Sequence, residues 1–271
     1  MATHGNRRAT LVATVAFGVA ELRPDPEREQ GWELLVGGVP QSYVDLADPR
    51  RLPFEYVRRI ASVLQVAGPA GAPLRVLHLG GGALTLARFV AATRPGSPQT
   101  VVERDGDLLA LVSRVLPPPA EVGLVVGDAR TVLDRQDPGR YDVIVADVFD
   151  GAAMPRSVAG TGFAAAAARA LRPGGLLAMN LTDLPPLAAS RIQAATLRTA
   201  FAEVALLAGA AMLRGRRAGN IVLAAARSPG RLGVERLAAA AARDREPGRV
   251  LHGGGLDDFI GGAKARLDGP G

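Results

Sequence analysis

The residues best able to do chemistry stand at the ends of four apolar runs. "LRVLHL" is followed by Gly80, Gly81 and Gly82. Three residues without a β-carbon let a ligand lie against the main chain and let the turn take positive φ. The second run, "QTVVER", carries Glu103, 21 residues after Gly82. A carboxylate at that spacing can accept both hydroxyl hydrogens of a ribose. In "VVGDAR", Asp128 is an acceptor for an adenine amino group, or in the ordinary structural use the N-cap of the next helix. "YDVIVADVFD" sets Asp147 and Asp150 around Val148 and Phe149, two carboxylates that can face a cation or take a proton from an amine. Their ordinary alternative is a turn and a helix cap. The glycines and Glu103 together point to a nucleoside. They do not make a dinucleotide fingerprint, because Thr85 stands where its third glycine belongs.

Bringing these groups together requires the runs to be parallel strands alternating with helices. "LTLARFVAATR", "DLLALVSRVLP", "ARTVLDRQ" and "GFAAAAARAL" read as the helices between them, with "GGLLAMNL" as a further strand and "PLAASRIQAATLRTAF" as a further helix. The strands are continuously apolar, which predicts burial on both faces. Right-handed crossovers then place ligands at the carboxyl ends of a doubly wound sheet. "EVALLAGAAML" and "NIVLAAA" are joined by only "RGRRAG", too short for a crossover helix, so they pair as an antiparallel hairpin. The predicted fold is α/β: a doubly wound, mostly parallel, Rossmann-like methyltransferase sheet ending in an antiparallel hairpin. Ahead of it, residues 10–52 form a small β-unit, with strand runs "TLVATVAFGVAELR" and "GWELLVGGVPQSYVDL". The nucleoside-binding domain spans 53–227 and opens with the helix "PFEYVRRIASVLQVAG". Residues 228–271 read as a covering helix and a loosely ordered tail, with Gly253–Gly255 as flexible linker.

Composition narrows the chemistry. The 271 residues contain no cysteine, which excludes disulfides, thiolate metal sites and thiol catalysis. His4, His78 and His252 are far apart in sequence, so no metal site is expected, and His78 inside a strand reads as a packed, hydrogen-bonded residue. Lys264 is the only lysine among 32 basic residues. That arginine bias, with abundant Ala, Gly and Pro, reflects a GC-rich bacterial genome, so the net charge of +6 does not argue for a nucleic acid partner. No apolar run reaches the roughly 18 residues of a membrane span. "NRRATLVATVAFGVA" faintly imitates an export signal but reads as a frayed end and a first strand, so a cytoplasmic location is expected.

In their order, "VLHLGGG", "VVERD", "VVGDAR", "YDVIVADVFD" and "ALRPGGLLAMNL" resemble the spermidine synthase (polyamine aminopropyltransferase) family. Upstream, "LLVGGVPQSYVDLADPRRLPFEYVRRI" is similar to that family's N-terminal β-unit and first helix, so the resemblance covers about residues 31–226. The spermidine-synthase-like proteins of GC-rich actinobacteria are the branch it resembles most. The resemblance implies an enzyme whose donor is decarboxylated S-adenosylmethionine or S-adenosylmethionine, whose acceptor is a small amine, and which uses no metal. By position it implies that Gln41 and Gly80–Gly82 hold the donor, Glu103 its ribose and Asp128 its adenine. Asp147 would help deprotonate and orient the attacking amine, Tyr56 would be the active-site tyrosine, and Asp150 would bind the acceptor's cationic end. A homodimer through the N-terminal β-unit is also implied.

Three departures stand against that pattern. Ala83 replaces the aspartate that continues the family's glycine turn and pairs with the donor's ammonium. Val57 replaces the glutamine after the tyrosine, and "GAAMPRSVAG" replaces the segment after the paired aspartates. An unpaired buried ammonium costs several kcal/mol, so aminopropyl transfer needs another acid there, with Asp147 nearest by position. Ala83 tolerates the carboxylate of intact S-adenosylmethionine, which keeps a methyltransferase acting on a small molecule as the alternative. A non-catalytic relative binding nucleoside or polyamine is a third reading, and an NAD-dependent oxidoreductase a distant fourth.

Overall fold

The computed structural model describes residues 8–151 and 153–268, so His4 and the last three residues lie outside it. Each N-terminal strand run folds back as a hairpin. The first gives β1 (Leu11–Val15) and β2 (Gly18–Pro24), the second β3 (Gly31–Val36) and β4 (Val39–Asp45). Gly37 and Gly38 turn the second hairpin with φ of 58° and 76°, a twist that suits a two-residue loop. The four strands form one antiparallel sheet in sequence order.

Helix α1 (Glu55–Val66) follows, burying Val57, Ile60, Val63 and Leu64 at helical spacing. The chain then alternates as β5 (Val76–Leu79), α2 (Thr85–Thr93), β6 (Gln99–Glu103), α3 (Gly106–Val115), β7 (Val122–Val126), α4 (Ala129–Asp134) and β8 (Tyr141–Ala146). It continues through α5 (Thr161–Ala170), β9 (Leu171–Asp183), α6 (Ala188–Leu197), β10 (Glu203–Gly209), the single turn α7 (Ala210–Leu213) and β11 (Gly219–Ala226). Last come α8 (Val234–Arg243), β12 (Gly248–His252) and α9 (Gly254–Ile260). The second sheet has the order β12-β10-β11-β9-β8-β5-β6-β7. Strands β5 to β9 run parallel, and β11 enters antiparallel between β9 and β10, giving the expected hairpin.

Side-chain alternation along the strands divides the core between two faces. Val76, Val143 and Val145 pack toward Ile60, Phe89 and Leu237, whereas Leu77, Leu79 and Ile144 pack toward Phe163, Ala167 and Ala194. Each fully buried leucine of β5 contributes about 2 kcal/mol relative to exposure, which makes the strand's carboxyl end a firm platform. A third cluster joins Leu22, Trp32 and Leu34 of the small sheet to Leu84 and Ala87 of the α2 segment and to Leu108 and Val112 of α3. That contact sets the small sheet over one side of the strand ends.

Three expectations need correction. The tail is not loose over its whole length: Gly248–His252 adds a strand to the free edge of β10, and Gly253–Gly255 follows it as the turn into α9 rather than as a linker. "EVALLAGAAML" leaves the sheet at Gly209, where α7 begins. β7 is not buried on both faces, because it is an edge strand, and its Val126 is 61% exposed. Among the described residues, no helix is long and apolar enough to cross a membrane.

Candidate active site

β5 is the strand from which the chain crosses to β6 on one side and, later, to β8 on the other, so a crevice opens at its carboxyl end. The ends of β5, β6, β8 and β9 line one cavity there of about 660 Å³, closed by β4 and the start of α1. Gln41, Tyr56, Gly80, Gly81, Gly82, Glu103 and Asp147 are all on its wall.

Sterics explain the glycines. Gly80 has φ of 95°, and a β-carbon there would overlap the carbonyl oxygen of Asp147 on the neighbouring strand. Gly82, at φ 49°, faces the Ser42 hydroxyl, which a β-carbon would approach to 2.5 Å. The Ser42 hydroxyl in turn accepts the Ala83 N–H at 3.2 Å, tying the turn to β4. Glu103 is held from both sides: Oε2 accepts the Gly81 N–H at 2.9 Å and Oε1 the Asp105 N–H at 3.0 Å. Its carboxylate is oriented at the cavity wall by backbone alone.

On the other side of the crevice, Asp147 is placed by its own N–H, which donates to the Leu79 carbonyl at 2.8 Å. Asn180 Nδ2 donates to its Oδ1 at 2.9 Å. Burial raises the Asp147 carboxyl to about 6, partly opposed by that hydrogen bond. The carboxylate fixes which way the Asn180 amide points, and Asn180 Oδ1 is then a buried acceptor without a partner among the described residues. The Tyr56 hydroxyl donates to the Gln41 carbonyl at 3.3 Å. Burial, and secondarily the charge of Asp147, push the Tyr56 hydroxyl well above its usual range, so it remains a proton donor. His78 lies beneath, hydrogen-bonded to Gln99 Oε1 at 2.8 Å, and burial lowers it to about 4. It is the neutral packed residue expected.

The charges on the wall are Glu103, Arg104, Asp105 and Asp147. Two of them are committed elsewhere. Asp105 caps α3 through the Leu108 N–H and accepts the Phe17 N–H. Arg104 bonds Asp150 at 3.0 Å and lies over the Phe17 ring at 3.8 Å. Glu103 and Asp147 remain to act on a ligand, so the cavity favours a cation over an anion.

Asp128 and Asp150 are not brought to this wall. Asp128 is exposed at the end of β7 and accepts the Thr131 N–H at 2.8 Å as the cap of α4. Asp150 is largely exposed and paired with Arg104. Ala83 is 1% exposed and packs into the apolar cluster under the small sheet instead of lining the cavity. Val57 does line it. The sequence reading passed over Ser42, Arg104 and Asn180. Of these, Asn180 had a visible signal, being the one polar residue in "GGLLAMNL".

No family model matches the sequence, and no curated protein matches it. Among solved structures, a probable spermidine synthase from Corynebacterium glutamicum superposes with a TM-score of 0.90 at 33% identity, over 97% of this chain and 98% of that chain. The chain belongs to the spermidine synthase family. Spermidine synthase from Thermotoga maritima shares the fold at a TM-score of 0.58 and 14% identity, over 87% of this chain and 78% of that one. A spermidine synthase in complex with the transition-state analogue AdoDATO does so at 0.57 and 13%, over 87% and 77%. The α/β architecture with an N-terminal four-stranded antiparallel sheet is therefore that of the spermidine synthases.

Proposed function

We propose that this chain transfers the aminopropyl group of decarboxylated S-adenosylmethionine to a small amine. The observation that carries the reading is the carboxylate of Asp147, raised in pKa by burial, bonded to Asn180 and close to Tyr56, across one cavity from the backbone-oriented carboxylate of Glu103. Glu103 accepts the two ribose hydroxyls, and Gln41 and Gly80–Gly82 hold the nucleoside. The donor supplies a sulfonium whose aminopropyl carbon is already activated. Asp147, ionised at neutral pH, takes a proton from the attacking amine as its lone pair forms the new C–N bond. The C–S electron pair returns to sulfur, leaving a neutral thioether, methylthioadenosine. Asp147 is the acceptor on the cavity wall for the ammonium hydrogens that residue 83 does not meet. Asp128 and Asp150 are left out, since neither lines the cavity.

One observation favours a second reading: without a carboxylate at residue 83, the glycine turn does not repel the carboxylate of intact S-adenosylmethionine, which keeps methyl transfer open. Calorimetric titration with decarboxylated donor, intact donor and methylthioadenosine separates the two. Tighter binding of the decarboxylated donor supports aminopropyl transfer; a preference for the intact donor overturns it. A homodimer through the small sheet belongs to the same proposal, because that sheet exposes Val12, Phe17, Val19 and Val39.

A further inference from the structure

The active-site cavity continues past Asp147 along one face of the second sheet. On β9, Ala178, Asn180 and Thr182 alternate onto the same face, and Asn220 of β11 stands directly across from Thr182. Ala178 and Val222 pack on that face with Val57 and Ile60 of α1, so the wall turns from apolar to polar at Thr182 and Asn220. Asn180 is buried against Asp147, whereas Thr182 is exposed and Asn220 half-buried, both lining the cavity. A two-residue step along a strand is about 7 Å. A ligand that reacts beside Asp147 and reaches this pair therefore has an extended tail of about five or six bonds.

The acidic residues adjoining these segments in sequence are not on the wall. Asp183, next to Thr182, alternates to the opposite face of β9 and accepts the Ser190 N–H and hydroxyl at 2.7 and 2.6 Å. Glu55, next to Tyr56, accepts Arg217 Nη2 at 2.9 Å. Neither lines the cavity, and Asp150 does not. Of the wall carboxylates, Asp105 caps α3, Glu103 meets the ribose in the transferase reading, and Asp147 serves the reacting centre. A second ammonium at the Thr182–Asn220 end would thus be partly desolvated with no counter-charge among the described residues. An ammonium can only donate hydrogen bonds, whereas the Asn220 amide and the Thr182 hydroxyl each donate and accept. A ligand hydroxyl answers both functions without a charge to bury.

We infer that the preferred acceptor is a primary amine with a neutral hydrogen-bonding far end, the hydroxyl of an amino alcohol being the smallest, and that Asn220 with Thr182 reads that end. A diamine is turned over more slowly. This rests on the transferase reading and names its acceptor class. The bond changes are those already given, with the C–N bond formed, the C–S bond broken and the proton taken by Asp147; the hydroxyl only positions the amine. The test compares aminobutanol, diaminobutane and butylamine, each with its functional groups on the terminal carbons, as acceptors for the full chain with saturating decarboxylated donor. Methylthioadenosine release gives kcat/KM, and titration of each acceptor into the chain saturated with methylthioadenosine gives the same comparison without turnover. Aminobutanol should exceed both others by about tenfold or more. Asn220→Asp should reverse the order in favour of diaminobutane, since its carboxylate meets the second ammonium, and Asp150→Asn should leave the order unchanged. Diaminobutane or butylamine matching aminobutanol in the wild type overturns the inference, as does an order that moves with Asp150 and not with Asn220. Failure of the transferase reading is separate: no acceptor releases methylthioadenosine, while the binding order still decides the acceptor class.

Discussion

Replacing Glu103 with alanine removes the group on which the nucleoside reading depends. In the free protein each carboxylate oxygen already accepts one backbone N–H, at 2.9 and 3.0 Å, so the side chain is ordered before any ligand arrives. A ribose would add one charge-assisted hydrogen bond to each oxygen. Such bonds contribute about 1.5–3 kcal/mol, and because the two share oxygens already polarised by backbone donors, the pair is taken as that range and not its double. The expected loss is therefore about 10- to 150-fold in affinity for methylthioadenosine. The substitution also frees the N–H groups of Gly81 and Asp105, so the melting temperature must be followed alongside. The assay is calorimetric titration with methylthioadenosine and its 2′-deoxy analogue. Wild type should discriminate between the two, and Glu103→Ala should lose most of that discrimination. Unchanged affinity in a folded variant, or discrimination that persists in full, would refute the ribose role.

Asp147 should impose an acidic limb near pH 6 on kcat/KM, with rate rising as the carboxylate ionises, and Asp147→Asn should remove most activity without loss of fold. Because burial raises this carboxyl from 3.8 to about 6, its contribution to stability is present below pH 4 and is lost as pH rises through 6. Asp147→Asn should thus melt higher than wild type above pH 6 and alike below pH 4; an equal offset at both pH values would contradict this. His78 carries the opposite sign: burial lowers it from 6.5 to about 4, so stability is lost as pH falls through that interval. The melting temperature of His78→Asn should fall less between pH 6.5 and 4 than that of wild type, and an equal fall would contradict the assignment. Gly80→Ala should destabilise by about 1–3 kcal/mol and abolish nucleoside binding, since its φ of 95° and the Asp147 carbonyl leave no room for a methyl. A normal melting temperature would show the turn to be adaptable.

The parallel half of the sheet was readable because its inner strands are apolar on both faces and each ends in a residue with distinctive chemistry. That is why Gly80, Glu103 and Asp147 could be placed on one edge from sequence order alone. β12 was not readable: "GRVLH" starts at a glycine, exposes Arg249 and offers only Val250 and Leu251 to the interior, as an edge strand can. The hairpins of the small sheet were hidden inside runs whose apolar residues continue through the turn, as in "TVAFGVA". Asp128 and Asp150 show a different limit. A carboxylate at a strand end looks the same in sequence whether it meets a ligand, the N–H three residues on, or a guanidinium 46 positions away. Asn180 was overlooked because its importance lies in the partner it orients.

The most direct test of the account incubates the chain with decarboxylated S-adenosylmethionine and a small diamine and follows both products by mass spectrometry. The account predicts methylthioadenosine and aminopropylated amine in equal amounts, with both lost in Asp147→Asn. Methylated amine and S-adenosylhomocysteine formed from the intact donor, with no turnover of the decarboxylated one, would contradict it.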